Sequence, residues 1–107
     1  MKMENINSIL SEFKKELSCR YGSRMRRLVC YGSQARREAG PESDVDLVLI
    51  LEGDVRPSHE IDQVVDLLAD FNLRYEVLIS LLPVGQDMWN TAEGPFWRNV
   101  HREGREI

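Results

Sequence analysis

Two short apolar runs, Leu28 to Tyr31 and Leu47 to Leu51, bracket a polar stretch that opens with Gly32-Ser33 and closes with Asp44-Val45-Asp46. Apolar runs of this length bounded by turn-forming residues read as buried strands, so both polar elements fall at strand ends. Successive strand side chains alternate between faces. Asp44 and Asp46 therefore emerge on one face, roughly 6 to 7 Å apart along the strand. Like charges held that close raise each other's pKa unless a cation lies between them. Mg²⁺ suits such a pair, because it is commonly bound by one or two carboxylates together with substrate phosphates and waters. The Gly-Ser turn is the complement. Glycine lets backbone approach a ligand, amides at a helix start point toward anionic oxygens, and serine can cap that helix or bond a phosphate oxygen. The order and spacing describe a phosphate cradle facing a metal site. Tyr21-Gly22-Ser23 repeats the tripeptide of Tyr31-Gly32-Ser33, but no aspartate pair follows at the same distance, and it reads as a loop.

Elements alternate along the chain. Ile6, Ile9, Leu10, Phe13 and Leu17 recur at helical spacing and predict a helix from about Asn5 to Arg20. Strand one is expected from Arg27 to Tyr31, then a short helix over Ser33 to Arg37, a loop through Gly40-Pro41, and strand two from Asp44 to Leu51. Ser58 is placed to cap a helix that carries Ile61, Val64, Val65, Leu68 and Phe71 on its apolar side and ends at Asn72. Strand three is expected from Arg74 to Leu82, alternating Tyr75, Val77, Ile79 and Leu81 against Arg74, Glu76, Leu78 and Ser80. That pattern puts Glu76 on the polar face, where it could join Asp44 and Asp46. After Pro83 the pattern is irregular through Gly94, and a last helix starts near Pro95. The sum is an α/β (α+β) chain: a small mixed sheet with helices packed on one face. At 107 residues it is read as one domain over residues 1–107.

A net charge of −4 argues against general nucleic-acid binding, which needs a basic face. The basic residues are nonetheless uneven. Arg20, Arg24, Arg26 and Arg27 precede strand one, and Arg36 and Arg37 follow its turn, which reads equally as a field for a triphosphate or as a solvated surface cluster. Two cysteines, Cys19 and Cys30, make neither a disulfide framework nor a metal set, and Cys30 reads as a buried thiol. The N-terminus lacks the apolar core of a signal peptide and no run is long enough to cross a membrane, so a cytoplasmic protein is expected. His59 and His101 stand alone and read as surface residues. Trp89, Phe96 and Trp97 read as packing residues or part of a partner surface.

The residues Gly32-Ser33-Gln34-Ala35-Arg36-Arg37 and Ser43-Asp44-Val45-Asp46-Leu47 resemble the signature of the nucleotidyltransferase superfamily that includes DNA polymerase beta. The short chain is similar to the minimal nucleotidyltransferases, many of which are antitoxins encoded beside a HEPN-domain toxin, the MntA type. The resemblance is strongest from Leu28 to Leu51 and extends loosely through Glu76 to Phe96-Trp97-Arg98-Asn99-Val100 and Glu103-Gly104. It implies a polymerase-beta palm-like fold. It also implies Mg²⁺, as one or two ions, held by Asp44, Asp46 and Glu76 as the catalytic acids, with Gly32, Ser33 and Arg36 on the phosphates of ATP. The implied reaction is AMP transfer to a tyrosine hydroxyl of a HEPN ribonuclease toxin, which would silence it.

Two positions depart from the family pattern. Arg37 stands where glycine is frequent, and Glu76 where the third acid is usually aspartate; the extra methylene moves the carboxylate by about a bond length in a site where a misplacement of roughly 1 Å can cost a hundredfold in rate. Two other readings use the same residues: an antitoxin of weak catalytic power that neutralises by docking, and an enzyme that nucleotidylates a small molecule. Whether the chain also pairs with itself is left open by the sequence.

Overall fold

The computed structural model describes residues 6–31 and 44–107. The expected Ser33–Arg37 helix and the Gly40-Pro41 loop lie outside the described residues. Helix α1 spans Ile6–Tyr21 and is followed by a single 3₁₀ turn, Gly22–Arg24, where the repeated tripeptide falls. Strand β1 is Met25–Tyr31 and β2 is Val45–Leu51. The long helix α2 runs Pro57–Tyr75, and β3 follows as Ile79–Gly85. Two short helices, α3 (Gln86–Thr91) and α4 (Pro95–Glu103), lead to a two-residue strand β4, Arg105–Glu106.

The four strands form one mixed sheet in the order β3-β2-β1-β4. β1 is antiparallel to both β2 and β4, whereas β3 lies parallel to β2, the α2 crossover supplying the reversal. β2 is central and buried along almost all its length.

Alternation along β2 divides its side chains between two cores. Val45, Leu47, Leu49 and Leu51 join Leu28, Cys30 and Ile79 beneath α1 and α2, where Ile9, Leu10, Phe13, Leu17, Val64, Leu67 and Phe71 close the layer. Phe13 and Phe71 meet edge to face at 5.2 Å and are both fully buried, each stabilising by about 2 to 3 kcal/mol on area grounds. Val48 and Ile50 face the other way, onto Val29, Val84, Trp89 and Val100. The two long helices thus take one face, as the periodicity predicts, and the short C-terminal pair adds a smaller cover on the other.

Three expected boundaries are corrected. α2 continues three residues past Asn72, because Tyr75 keeps the helical spacing: its ring lies 5.4 Å from Phe71 and its hydroxyl donates to Glu12 Oε1 at 2.7 Å. Asn72 serves as a clamp instead of a stop, its Oδ1 accepting from the Ile79 backbone N–H at 2.9 Å. Strand three accordingly starts at Ile79 and includes Pro83, which a sheet tolerates here because β3 is an outer strand. The stretch expected to be irregular after Pro83 contains the end of β3 and all of α3. On α2 the inward residues are Val64, Leu67 and Phe71, whereas Val65 is exposed.

Gly104 makes the β4 return feasible. A Cβ there would stand 2.5 Å from the Val100 carbonyl oxygen and 2.6 Å from Val29 Cγ1, so only glycine lets the chain leave α4 and fall against β1. The Ile107 N–H then donates to the Leu28 carbonyl at 2.9 Å, and Lys14 Nζ donates to the Ile107 carbonyl, tying the end of the described chain to α1. No helix among the described residues is long and apolar enough to cross a membrane.

Candidate active site

The start of β2 is fixed from β3: the Val45 N–H donates to the Leu78 carbonyl at 2.8 Å, just ahead of the parallel register that pairs Val45 with Ile79 and Asp46 with Ser80. Val45 is drawn into the large core, so Asp46 is turned to the opposite face, and Asp44, two residues back, falls on that face too. Asp44 is exposed and Asp46 half-buried. Across the antiparallel ladder Asp46 is opposite Tyr31, the last residue of β1, which precedes Gly32 and Ser33 in the chain. The sheet therefore brings both aspartates to the C-terminal end of β1.

Electrostatics agrees with this placement. Burial, and then the charge of Asp44, raise the Asp46 pKa above the usual carboxylate value. Burial and the charge of Asp46 raise the Tyr31 phenol. Most acids on the α1/α2 side of the molecule have an arginine, Asp66 with Arg20, Glu60 with Arg24, Asp70 with Arg74. Asp44 and Asp46 make no ion pair among the described residues. Two carboxylates at the start of one strand, near enough to resist joint ionisation and without an ion pair among the described residues, are a donor set that fits a hard divalent ion completing its shell with phosphates and water.

Glu76 is not brought to this pair. It follows α2 as its C-cap in the left-handed conformation, with φ 56° and ψ 45°, and is exposed. Its expected place on the polar face of strand three fails because α2 runs on to Tyr75. Among the described residues no three His, Cys, Asp or Glu side chains gather closely enough to hold a metal. The β3 residue in register with Asp46 is Ser80, an uncharged group.

Arg20, Arg24, Arg26 and Arg27 are also placed elsewhere. Arg20 closes α1, Arg24 ends the 3₁₀ turn, and Arg26 and Arg27 stand near the start of β1, the nearest of them four residues and about 13 Å of extended strand from Tyr31. They are engaged with Asp66, Glu60, Glu52 and Glu106 respectively. Arg24 is the most committed: it donates to both oxygens of buried Glu60 and to the carbonyls of Glu52 and Asp54, while the Tyr21 hydroxyl donates to the same carboxylate at 3.0 Å. Burial and this hydrogen bond push the Tyr21 pKa up to about 12. The network is structural. Gly32, Ser33, Arg36 and Arg37 lie outside the described residues.

Trp89, Phe96 and Trp97, read from the sequence as packing residues or part of a partner surface, form a wall that reaches Tyr31. Phe96, at the start of α4, packs edge-on against Tyr31 with ring centres 5.6 Å apart and is still 44% exposed. It meets Trp97 at 5.0 Å, Trp97 meets Trp89 at 6.2 Å, and His101 stacks on Trp89 at 3.9 Å. Leu78, half-exposed, stands one register position before the β3 partner of Val45, on the other side of Asp44. The Pro95-Phe96-Trp97 run was the available signal, since aromatic residues opening a short helix after Gly94 cannot all be buried by so little structure.

The family model described as a nucleotidyltransferase domain matches residues 10–94. A Methanocaldococcus jannaschii chain, MJ0604, provisionally named a protein adenylyltransferase, is 32% identical over 104 residues, covering 96% of this chain and 98% of its own. A toxin–antitoxin structure determined with AMP-PNP superimposes with a TM-score of 0.61 at 13% identity, over 89% of this chain and 69% of that one. The toxin–antitoxin MntA–HpeT superimposes with a TM-score of 0.59, also at 13% identity, over 96% and 71%. At these identities the likeness to the two solved structures is one of fold.

Proposed function

Because the chain belongs to the nucleotidyltransferase domain family, whose model spans most of its length, we propose that it transfers AMP from ATP to a tyrosine hydroxyl of a HEPN ribonuclease toxin and so acts as an antitoxin. The observation that carries this reading is the pair Asp44 and Asp46, on one sheet face at the end of β1 and without an ion pair among the described residues. The name of the M. jannaschii relative supports a protein acceptor, and the fold shared with two toxin–antitoxin structures supports the toxin as that protein.

In this reading Gly32 and Ser33, with Arg36, hold the β- and γ-phosphates through backbone amides, a hydroxyl and a guanidinium. Asp44 and Asp46 hold Mg²⁺, which supplies charge neutralisation on the triphosphate. The acceptor oxygen attacks the α-phosphorus, the bond from that phosphorus to the bridging oxygen breaks, and pyrophosphate leaves. The phenolic proton leaves to solvent or to the departing pyrophosphate, since Asp46 as a ligand of the cation would have its carboxylate engaged. Positioning and charge compensation are most of what such a transfer requires.

The second reading, an antitoxin that neutralises by docking, is favoured by one observation: the β3 position in register with Asp46 is Ser80. Labelled ATP, Mg²⁺ and the product of the neighbouring gene separate the two. Covalent label on that product, lost in Asp44→Ala and Asp46→Ala, supports transfer. A tight unlabelled complex, unchanged by either substitution, overturns it in favour of docking.

A further inference from the structure

Beyond the aspartates, the outer side of α4 is open and basic. Trp97, Arg98, His101 and Arg102, together with Asn90 and Ala92, line a recess of about 540 Å³. Arg98 makes no ion pair among the described residues. Arg102 is oriented by donating to Asn99 Oδ1 at 2.7 Å, with Glu103 farther off at 3.4 Å. His101 Nε2 bonds the Trp89 carbonyl at 2.9 Å, and since a carbonyl only accepts, that nitrogen carries the proton. The recess is connected to the site by rings in contact, from Trp97 through Phe96 to Tyr31, which faces Asp46.

We propose that this recess and the adjoining aromatic wall dock an acidic segment of the acceptor protein, so that a tyrosine on that segment reaches Asp44 and Asp46 along Phe96. The inference rests on the protein-acceptor reading above and adds the chemistry of the segment. Charge complementarity carries it: Arg98 and Arg102 present positive charge on a chain of net charge −4, at an aromatic surface continuous, among the described residues, with the strand that faces the aspartates. Phe96 and Trp97 supply the apolar contact an aromatic acceptor side chain needs. A strand of nucleic acid fits less well. Its phosphates demand a longer basic track than the two arginines of this recess supply.

The test uses the full chain and three probes: a ten-residue peptide with a central phenylalanine among glutamates, the same peptide with lysines, and an oligouridylate. Fluorescence of Trp89 and Trp97 reads binding, which does not depend on transfer. The glutamate peptide is expected to bind at least tenfold more tightly than the lysine peptide. The order should reverse in Arg98→Glu/Arg102→Glu and vanish in Arg98→Gln/Arg102→Gln, which retains uncharged side chains of similar reach should the charge reversal misfold. Equal affinities in the unsubstituted chain, an unchanged preference in the variants, or displacement of the peptide by oligouridylate overturns the proposal. With tyrosine in place of phenylalanine and labelled ATP present, the same preference should appear in KM and leave kcat nearly level. Preferential binding with no label on any peptide upholds the docking surface and counts against the transfer reading alone.

Discussion

Asp46 stands directly opposite Tyr31 across the antiparallel β1–β2 ladder, and its charge raises the phenol's pKa while Asp44 raises that of Asp46 itself. Three groups in a row thus resist becoming anionic together. The folded-state pKa of Asp46 is raised, so its proton stabilises the fold below the unfolded value, and that contribution is lost as pH climbs through the folded one. Asp46→Asn should melt higher than the unsubstituted chain at neutral pH, and the gap should close as pH falls below the carboxylate range. The same substitution should lower the Tyr31 pKa in an ultraviolet titration of tyrosinate.

Mg²⁺ is expected to relieve this repulsion in the folded state only. Adding it should raise the melting temperature of the unsubstituted chain and leave Asp44→Asn/Asp46→Asn unmoved, since a ligand stabilises by its preference for the folded state. Equal shifts in both proteins would place the ion elsewhere.

Glu60 is 2% exposed and holds both Arg24 and Tyr21. Arg24→Ala should destabilise by about 2 to 3 kcal/mol, somewhat less than a fully buried pair because the arginine is partly exposed. Tyr21, pushed up to about 12, keeps its proton where the unfolded chain loses it near pH 10. Its contribution is whole below that value and fades as pH rises toward 12, so alkaline denaturation monitored by circular dichroism should be less steep in Tyr21→Phe.

Glu76 occupies a left-handed position that favours glycine. Glu76→Gly should stabilise by about 1 kcal/mol in urea denaturation, the usual cost of a side chain in that conformation. AMP transfer should be kept. A loss of transfer without a loss of fold would return Glu76 to the metal site.

Gly104→Ala should destabilise by about 1 to 3 kcal/mol through overpacking, because the added methyl collides with the Val100 carbonyl and Val29 rather than with a flexible tip. Hydrogen exchange should show β4 released from β1 first.

Much of the sheet was legible because β1 and β2 are apolar runs ended by turn residues, and the same alternation placed Asp44 and Asp46 on one face. The error at Glu76 came from Tyr75, Val77 and Ile79, which alternate like a strand although Tyr75 is held in α2 by Phe71 and Glu12. Local alternation there competes with a tertiary contact 63 residues away in sequence, which no short window contains. Of the two readings of the arginines before β1, the surface cluster is the one their partners favour, since Asp66, Glu60, Glu52 and Glu106 engage them and lie elsewhere in the sequence. β4 was invisible because two residues carry no periodicity, and only the fit of Gly104 against Val29 and Val100 reveals it.

Pro83 sits in the outermost strand, and the other margin of the sheet is only two residues long. A proline offers no amide to an incoming backbone, and so short a margin gives little template for one. Among the described residues, neither border is a strong template for extending the sheet. Side chains meeting across faces are then the better furnished route to a complex, which makes recognition a matter of residue chemistry and exposes it to change by single substitutions.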